Sequence, residues 1–146
     1  SSGVLYQDTN KFKISKSRLK PVTKLKSSKR IIDDLIFAYR VAKHVNSNAI
    51  ILADNKQTVG IGAGQMSRLD STKIAIKKFT NIFKKKQFVC ASDAFFPFVD
   101  NIKLLKKYNC KAIIQPGGSK NDKRIIDYAN KNKISLYFAD YRVFKH

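Results

Sequence analysis

Residues 92–98, Ser-Asp-Ala-Phe-Phe-Pro-Phe, have the composition of a wall for a planar ligand. They follow an apolar run typical of a buried strand, and ligand sites in open α/β sheets lie just beyond strand ends. The phenylalanines repeat with neither the period of a strand nor that of a helix, and Pro97 prevents a regular helix here. We therefore expect either an aromatic ligand wall or ordinary packing, with Asp93 either capping a helix or orienting the ligand.

Two further bends could bind an anion. Gly60, Gly62 and Gly64 lie between a predicted strand and a predicted helix, where backbone N–H groups can form an anion-binding nest. Their spacing departs from the dinucleotide fingerprint because position 65 is Gln, and no Lys-Ser/Thr pair follows as it would in a P-loop. A structural turn and an anion-binding loop both remain open.

The second bend, residues 115–119 (Gln-Pro-Gly-Gly-Ser), also follows a strand and opens a helix. Ser119 and Asp122 have the spacing of a capping box. The N-terminus of this helix offers N–H groups to an anion, although ordinary capping is the better explanation of this pattern taken by itself. Segment 141–146 is dense in basic and aromatic residues, and we expect it to dock over the site with Arg142 as an anion clamp.

The types of acid, thiol and imidazole exclude several chemistries. All 10 acidic residues are Asp, so the His-x-Glu and Cys-x-x-Cys pattern of the zinc deaminases is absent from the sequence. Cys90 and Cys110 are too far apart in the chain for a metal knuckle, and we predict buried, reduced thiols. His44 and His146 are the 2 histidines. We therefore expect no metal.

The elements that must position these segments follow from hydrophobic periodicity. A hairpin followed by a βαβαβ pattern predicts a largely parallel sheet with an antiparallel edge, hence a mixed, three-layer α/β fold. Ser28 is the predicted N-cap of the first helix, and Asp70 or Ser71 that of the second. The predicted helices span 28–45, 70–84, 101–108, 119–131, and the predicted strands span 49–53, 57–61, 88–91, 112–115, 134–139.

Charge and length set the class of protein. The 146 residues, 43% of them hydrophobic, suffice for one folded domain. A net charge of +20 attracts anions, yet lysine greatly outnumbers arginine, which indicates a solvated surface rather than a surface that reads bases. The sequence carries no membrane-spanning stretch and no secretory signal. We expect a cytoplasmic protein without a membrane partner.

Four longer motifs carry a resemblance: residues 47–68 (SNAIILADNKQTVGIGAGQMSR), 92–102 (SDAFFPFVDNI), 113–119 (IIQPGGS) and 142–146 (RVFKH). In order and spacing they resemble the bifunctional purine-synthesis family, which joins an AICAR (aminoimidazole carboxamide ribonucleotide) formyltransferase to an IMP cyclohydrolase. The resemblance implies that residues 1–146 are the C-terminal part of the transformylase unit. Its fold would be a cytidine-deaminase-like subdomain without zinc, with 1–27 as an extended lead-in and 28–146 as the compact domain.

The resemblance also implies a reaction and a set of binding residues. The reaction moves a formyl group from the cosubstrate 10-formyltetrahydrofolate to the 5-amino group of AICAR. The AICAR-binding residues would be Asn48, Phe95 and Arg142. The folate-binding residues would be Arg68, Leu69, Asp100, Ser119 and Lys120.

The family's catalytic Lys-His pair is expected upstream of this chain, so no catalytic residue is assigned within it. We accordingly expect the chain to be inactive without the missing N-terminal half, and to act within a homodimer. The alternative is a small basic nucleic-acid-binding or assembly protein. No helix-turn-helix or zinc-knuckle pattern is present in the sequence, so specific nucleic-acid binding is not expected.

Overall fold

The structure, a computed structural model, describes residues 3, 4, 6, 14–83, 87–140 and 143. Within these ranges the chain forms six strands and four α-helices. The strands are β1 (Leu19–Pro21), β2 (Ile50–Asp54), β3 (Gln57–Gly62), β4 (Phe88–Ser92), β5 (Cys110–Pro116) and β6 (Ser135–Ala139). The helices are α1 (Lys29–Ala42), α2 (Arg68–Ile82), α3 (Asp100–Lys107) and α4 (Asp122–Lys131).

The strands form one mixed sheet in the order β1-β6-β5-β4-β2-β3. Strands β4, β5 and β6 are parallel, whereas β2 runs antiparallel to both β3 and β4, and β1 runs antiparallel to β6. The predicted α/β class with a mixed sheet is confirmed, although parallel pairing is confined to β4–β6. Strand β1 belongs to the segment predicted as a lead-in, 1–27, and it extends the sheet by one edge strand.

Helices cover both faces of this sheet, which gives the predicted three layers. Helix α1 packs on one face, where Leu35 and Tyr39 are completely buried against Ile51 and Ile114. Helices α2, α3 and α4 pack on the other face together with Phe96. The Phe79 and Phe88 rings meet edge to face there, with their centroids 4.7 Å apart, a geometry that the ring quadrupole favours.

The helix starts reveal two corrections. Ser28 caps α1 as predicted, since its side chain accepts from the Ile31 N–H. The cap of α2 is Ser67, whose Oγ accepts from Asp70 N at 3.0 Å; the predicted caps Asp70 and Ser71 are wrong because both lie inside the first turns. Helix α4 begins at Asp122, so the predicted start at 119 is three residues early.

The glycines of β3 let the strand approach α2 closely. A Cβ on Gly60 would collide with the carbonyl oxygen of Ala75, and a Cβ on Gly62 with that of Ser71. Gly64 adopts a left-handed φ of 65° and has open space around it. These contacts favour the structural interpretation of Gly60 and Gly62 over an anion-binding loop.

Cys90 and Cys110 are buried thiols without a disulfide, as predicted. Burial raises the pKa of Cys90, and the neighbouring Cys110 raises it further. Burial likewise raises the pKa of Cys110 to about 12. In the part of the chain that the structure describes, no helix has the length and apolarity that crossing a membrane would need.

Candidate functional site

The segments singled out in the sequence meet at one edge of the sheet. Ser92 pairs opposite Ile50, and Ile50 pairs opposite Gly62, so β2 begins where β3 and β4 end. Parallel pairing brings the ends of β5 and β6 to the same side, with Pro116 opposite Ala139. We call this side, formed by residues 46–49, 62–69, 93–100 and 117–121, the carboxyl edge.

A buried carboxylate connects two of these segments. Asp93, directly after β4, is completely buried. Its Oδ1 accepts from the Arg68 guanidinium at 2.8 Å, and its Oδ2 accepts from the Ser47 hydroxyl. Asp93 therefore neither caps a helix nor stands free to orient a ligand: it pairs with the first residue of α2 and with the loop before β2.

Asn48 is held by the bend that follows β3. Its Nδ2 donates to the Gln65 carbonyl at 2.8 Å, and its own carbonyl accepts from the Ser71 hydroxyl at 2.6 Å. The Gly64 N–H donates to the carbonyl of Asn46, the residue two positions before Asn48, at 3.2 Å. The glycine bend thus fixes the Asn48 loop at the carboxyl edge.

The three phenylalanines of 92–98 have different environments. Phe96 is fully buried in the core, and its N–H donates to Gln115 Oε1 at 2.9 Å. Phe95 is half-buried, and Phe98 is 62% exposed. The predicted aromatic wall is therefore limited to Phe95 and Phe98, because Phe96 is a packing residue.

A cavity of about 330 Å³ opens between this loop and α4. Asn121 Nδ2 donates to the Pro97 carbonyl at 2.9 Å and so connects the loop to the start of α4. The cavity has apolar walls with one carboxylate and one guanidinium. Its lining is Pro97, Phe98, Val99, Asp100, Asn121, Arg124 and Ile125.

The first side chain of α4 binds two N–H groups of the bend that precedes the helix. The Asp122 carboxylate accepts from Gly118 N at 2.8 Å and from Ser119 N at 3.2 Å. Asp122 thus accepts the hydrogen bond from Ser119 N that a capping box requires. Ser119 Oγ, however, accepts from Asn121 N rather than from Asp122 N. Because the Asp122 carboxylate occupies the Gly118 and Ser119 N–H groups, these two donors are not free for a ligand at this bend.

Two buried donors lack a hydrogen-bond partner among the described residues: Arg68 Nε and Gln115 Nε2. Arg68 lies against Asp93, and Gln115 lies beneath Phe96. Buried donors without a partner are rare in folded proteins, and at a sheet edge they are the atoms that a ligand acceptor could satisfy.

Seven of the eight predicted site residues lie in two groups in the structure. Asn48, Arg68 and Leu69 lie around the β2 and α2 starts, with Leu69 half-buried in the first turn of α2. Phe95, Asp100, Ser119 and Lys120 lie on the loops after β4 and β5. Arg142 lies outside the described residues.

Sequence reasoning missed Ser47, Gln115 and Arg124. Gln115 had a usable signal, since it is a polar residue at the end of an apolar strand just before a Pro-Gly-Gly turn. Ser47 opens the motif 47–68, but a serine in a polar loop gives no sign of a carboxylate partner. Arg124 had no signal, because a basic residue on a Lys-rich helix is ordinary. Across the described ranges, no three His, Cys or acidic side chains gather as metal ligands would.

Comparisons with known proteins give a consistent result. The family model described as AICARFT/IMPCHase bienzyme matches residues 1–78. The Bifunctional purine biosynthesis protein PurH of Aquifex aeolicus is 45% identical over 147 residues, which cover 100% of this chain and 29% of that protein. The PurH of Fusobacterium nucleatum is 47% identical over 144 residues, covering 99% of this chain and 28% of that protein.

The chain therefore spans less than a third of the length of the curated relatives that it matches. Among solved structures, Acinetobacter baumannii RibD, form 2, is similar with a TM-score of 0.48 and 9% sequence identity, over 74% of this chain and 34% of that one.

Proposed function

The chain belongs to the AICARFT/IMPCHase bienzyme family, and we propose that its carboxyl edge is part of an AICAR formyltransferase site in purine synthesis. In that reaction the bond from the formyl carbon to N10 of 10-formyltetrahydrofolate breaks. A bond from that carbon to the 5-amino nitrogen of AICAR forms, while the amine loses one proton and N10 gains one. Because that amine is a weak nucleophile, positioning and proton transfer supply much of the rate.

The observation that carries the proposal is the convergence of the binding residues on one edge. Seven of the eight residues that the resemblance implies, spread from Asn48 to Lys120, lie on the carboxyl edge. Such convergence of loops at strand ends is typical of ligand sites in α/β sheets. The eighth, Arg142, follows two residues after Asp140 at the end of β6.

The nucleotide contacts would come from Asn48 and Phe95. A half-buried phenyl ring can stack on the planar imidazole carboxamide. Asn48 has its Nδ2 bound to Gln65, which fixes its amide plane and leaves its side-chain oxygen as the natural acceptor for the AICAR carboxamide. Arg142 would bind a phosphate or carbonyl oxygen of the nucleotide.

The folate contacts would come from the cavity beside α4 and from Arg68. A volume of about 330 Å³ is in the range of small-molecule sites, and its apolar wall suits the ring system of a folate. The exposed Asp100 carboxylate at its mouth can accept from the ring N–H groups. Leu69, Ser119 and Lys120 would complete this side.

We further propose that the catalytic Lys-His pair, the remaining binding surface and the cyclohydrolase lie in the longer protein. The full protein would be a cytoplasmic homodimer, and the reaction would need no metal. The 146-residue chain would then bind ligands weakly and catalyse no formyl transfer by itself. Loss of a positioned acid–base group costs about 10²–10⁴-fold in rate, and loss of orienting surface costs more.

The test is formyl transfer measured with AICAR and 10-formyltetrahydrofolate. The purified chain should give no turnover, and joining it to the upstream part of a relative should restore turnover. Phe95→Ala and Arg142→Ala should then lower kcat/KM, whereas Lys111→Ala, an exposed residue at the opposite end of β5, should not. Turnover by the chain alone, or equal activity of all three variants, would overturn the proposal.

A further inference from the structure

Asp93 is the most deeply buried charge on the carboxyl edge. It is completely inaccessible, and its partner Arg68 has a side chain that is 12% exposed. Its Oδ1 accepts from Arg68 Nη2 at 2.8 Å, and its Oδ2 accepts from the Ser47 hydroxyl. The carboxylate therefore joins two segments that β2 and β3 separate in the chain.

A buried ion pair of this kind is a poor way to stabilise a fold. The cost of taking both charges out of water offsets much of their attraction, and a well-packed apolar pair often does as well. What the pair provides is a fixed geometry, because a planar guanidinium bound to a rigid carboxylate has little freedom left. Asp93 itself is rigid, since its N–H donates to the Ala49 carbonyl at 3.2 Å and continues the β2–β4 ladder.

Each partner of Asp93 stands next to a proposed ligand contact or is one. Ser47 immediately precedes Asn48, which would contact the nucleotide. Arg68 would contact the folate, and its Nε is buried without a partner among the described residues. One carboxylate is thus bonded to a proposed folate contact, Arg68, and to the residue that precedes a proposed nucleotide contact, Asn48.

We propose that Asp93 is a positioning residue, whose two carboxylate oxygens hold Arg68 and the Ser47–Asn48 loop in the arrangement that binds both substrates. This rests on the proposed function for the identity of the two ligands. Asp93 touches neither ligand: it acts through Arg68 and Ser47. Because it supports both sides, its loss should weaken binding of the nucleotide and of the folate together.

The chain contains a matched control. Asp34 is also buried, at 1% exposure, and its carboxylate accepts from Asn55 N and Lys56 N at 3.0 and 2.8 Å. It lies on α1 and binds the β2–β3 hairpin turn, at the opposite end of the sheet from Asp93. Asp34→Asn therefore repeats the chemical change of Asp93→Asn, a buried carboxylate to a carboxamide, away from the site.

The first measurement needs no ligand. The six arginines give separable side-chain Nε–H signals in a ¹⁵N-labelled chain, and Arg68→Lys assigns the one from Arg68. In Asp93→Asn that proton should exchange with solvent about tenfold faster or more, because the guanidinium is no longer held in the interior. Asp34→Asn should leave it unchanged. An Arg68 signal that is the same in Asp93→Asn and in the wild type would overturn the proposal.

A milder variant covers the case in which Asp93→Asn does not fold. Ser47→Ala removes one of the two hydrogen bonds to the carboxylate and keeps its charge. Faster exchange at Arg68 Nε–H in Ser47→Ala would support the proposal, because it would show that the Asp93 carboxylate connects the Ser47 loop to Arg68. No change there would contradict it.

The second measurement uses the chain joined to the upstream part of a relative, with dissociation constants for AICAR and for 10-formyltetrahydrofolate. Asp93→Asn should weaken the binding of both ligands by about tenfold or more, whereas Asp34→Asn should weaken neither. In a chain that already carries Arg68→Lys, adding Asp93→Asn should weaken folate binding little further. If the wild type binds neither ligand, the proposed function fails, while the Nε–H exchange still decides the role of Asp93. If the wild type binds both and Asp93→Asn equals Asp34→Asn, the positioning role fails and the function stands.

Discussion

Two buried polar residues stand at the ends of apolar strands on the carboxyl edge. Gln115 is the last residue but one of β5, whose last five residues are all buried, and Asp93 follows β4, which is buried throughout. Hydrophobic periodicity predicts the strands, but it cannot predict the partners of these two side chains. The partners of Asp93 come from positions 47 and 68, and that pairing exists only once β2, β4 and α2 are assembled.

Replacing Gln115 should show how much stability the loop around Phe96 gains from the Gln115 side-chain oxygen, which accepts from the Phe96 N–H. Gln115→Leu leaves the buried Phe96 N–H unpaired, which should lower the free energy of unfolding by about 1–3 kcal/mol. Lys111→Leu is the matched control, because it also introduces a leucine into β5, but at an exposed position. It should change the free energy of unfolding by about 0.5 kcal/mol or less. Urea denaturation checks both. Equal effects of the two variants would show that the Phe96 bond contributes nothing.

The two buried thiols predict that the stability of the folded chain falls at alkaline pH. A thiol in the unfolded chain has a pKa of about 8.5, whereas burial raises the pKa of Cys110 to about 12 in the folded chain. Below about pH 8.5 both states keep the proton, so the stability contribution is fully present; it falls as pH rises from there toward the folded pKa. Native-state labelling by a thiol reagent at pH 8 should be slow and limited by unfolding. Labelling as rapid as in urea would contradict the burial of both residues.

At the scale of elements, the order and type of the segments from α1 to β6 could be predicted from the sequence, whereas β1 lies in the predicted lead-in. The helix and strand cores match the observed ones, because the buried faces repeat with clear periods. The ends could not be predicted: Ser67 rather than Asp70 caps α2, and α4 starts at Asp122. A cap depends on which single side chain reaches a free N–H, and several serines and aspartates in a row satisfy the same pattern.

The packing of α2 on β3 depends on a strand glycine. Gly62→Ala would place a methyl group against the Ser71 backbone, where no side-chain movement can relieve the clash. We expect a loss of about 1–3 kcal/mol or more in the free energy of unfolding, together with a shift of the Asn48 loop, since Ser71 Oγ donates to the Asn48 carbonyl. Gly3→Ala, at a position with open space, is the control. Thermal unfolding of both variants measures the difference, and a wild-type melting temperature for Gly62→Ala would refute the close approach.

At the scale of the whole molecule, the positive charge is unevenly distributed. Among the described residues, helix α1 carries three cations and two acids, whereas α2–α4 carry ten cations and four acids. On α2–α4 the exposed cations are Lys73, Lys77, Lys78, Lys103, Lys106, Lys107, Lys123, Arg124 and Lys131. Such a surface attracts polyanions without reading their sequence, since lysine ammonium groups act as point charges.

Nucleic-acid binding should therefore be weak, salt-dependent and indifferent to sequence. At low salt the chain should bind a single-stranded oligonucleotide, and near 150 mM salt the dissociation constant should rise to about 1–100 µM, as for other nonspecific binders. Fluorescence anisotropy with two unrelated oligonucleotides over a salt series measures both properties. Tight binding to one sequence at 150 mM salt would favour the nucleic-acid-binding alternative.

The gathering of the segments of the proposed site could be predicted from the topology, since the carboxyl ends of parallel strands share one edge. Its inner connections could not, because Asp93 with Arg68 and Asn121 with Pro97 are contacts between separate loops.

The most direct test is a structure of the chain, joined to the upstream part of a relative, with AICAR and a folate bound. The AICAR heterocycle should lie against Phe95, with ring centroids about 4.5–7 Å apart, and the folate ring should occupy the cavity at Asp100. Both ligands bound away from the carboxyl edge, for example beside the hairpin turn at Asp54, would contradict the assignment of this edge as the formyl-transfer site.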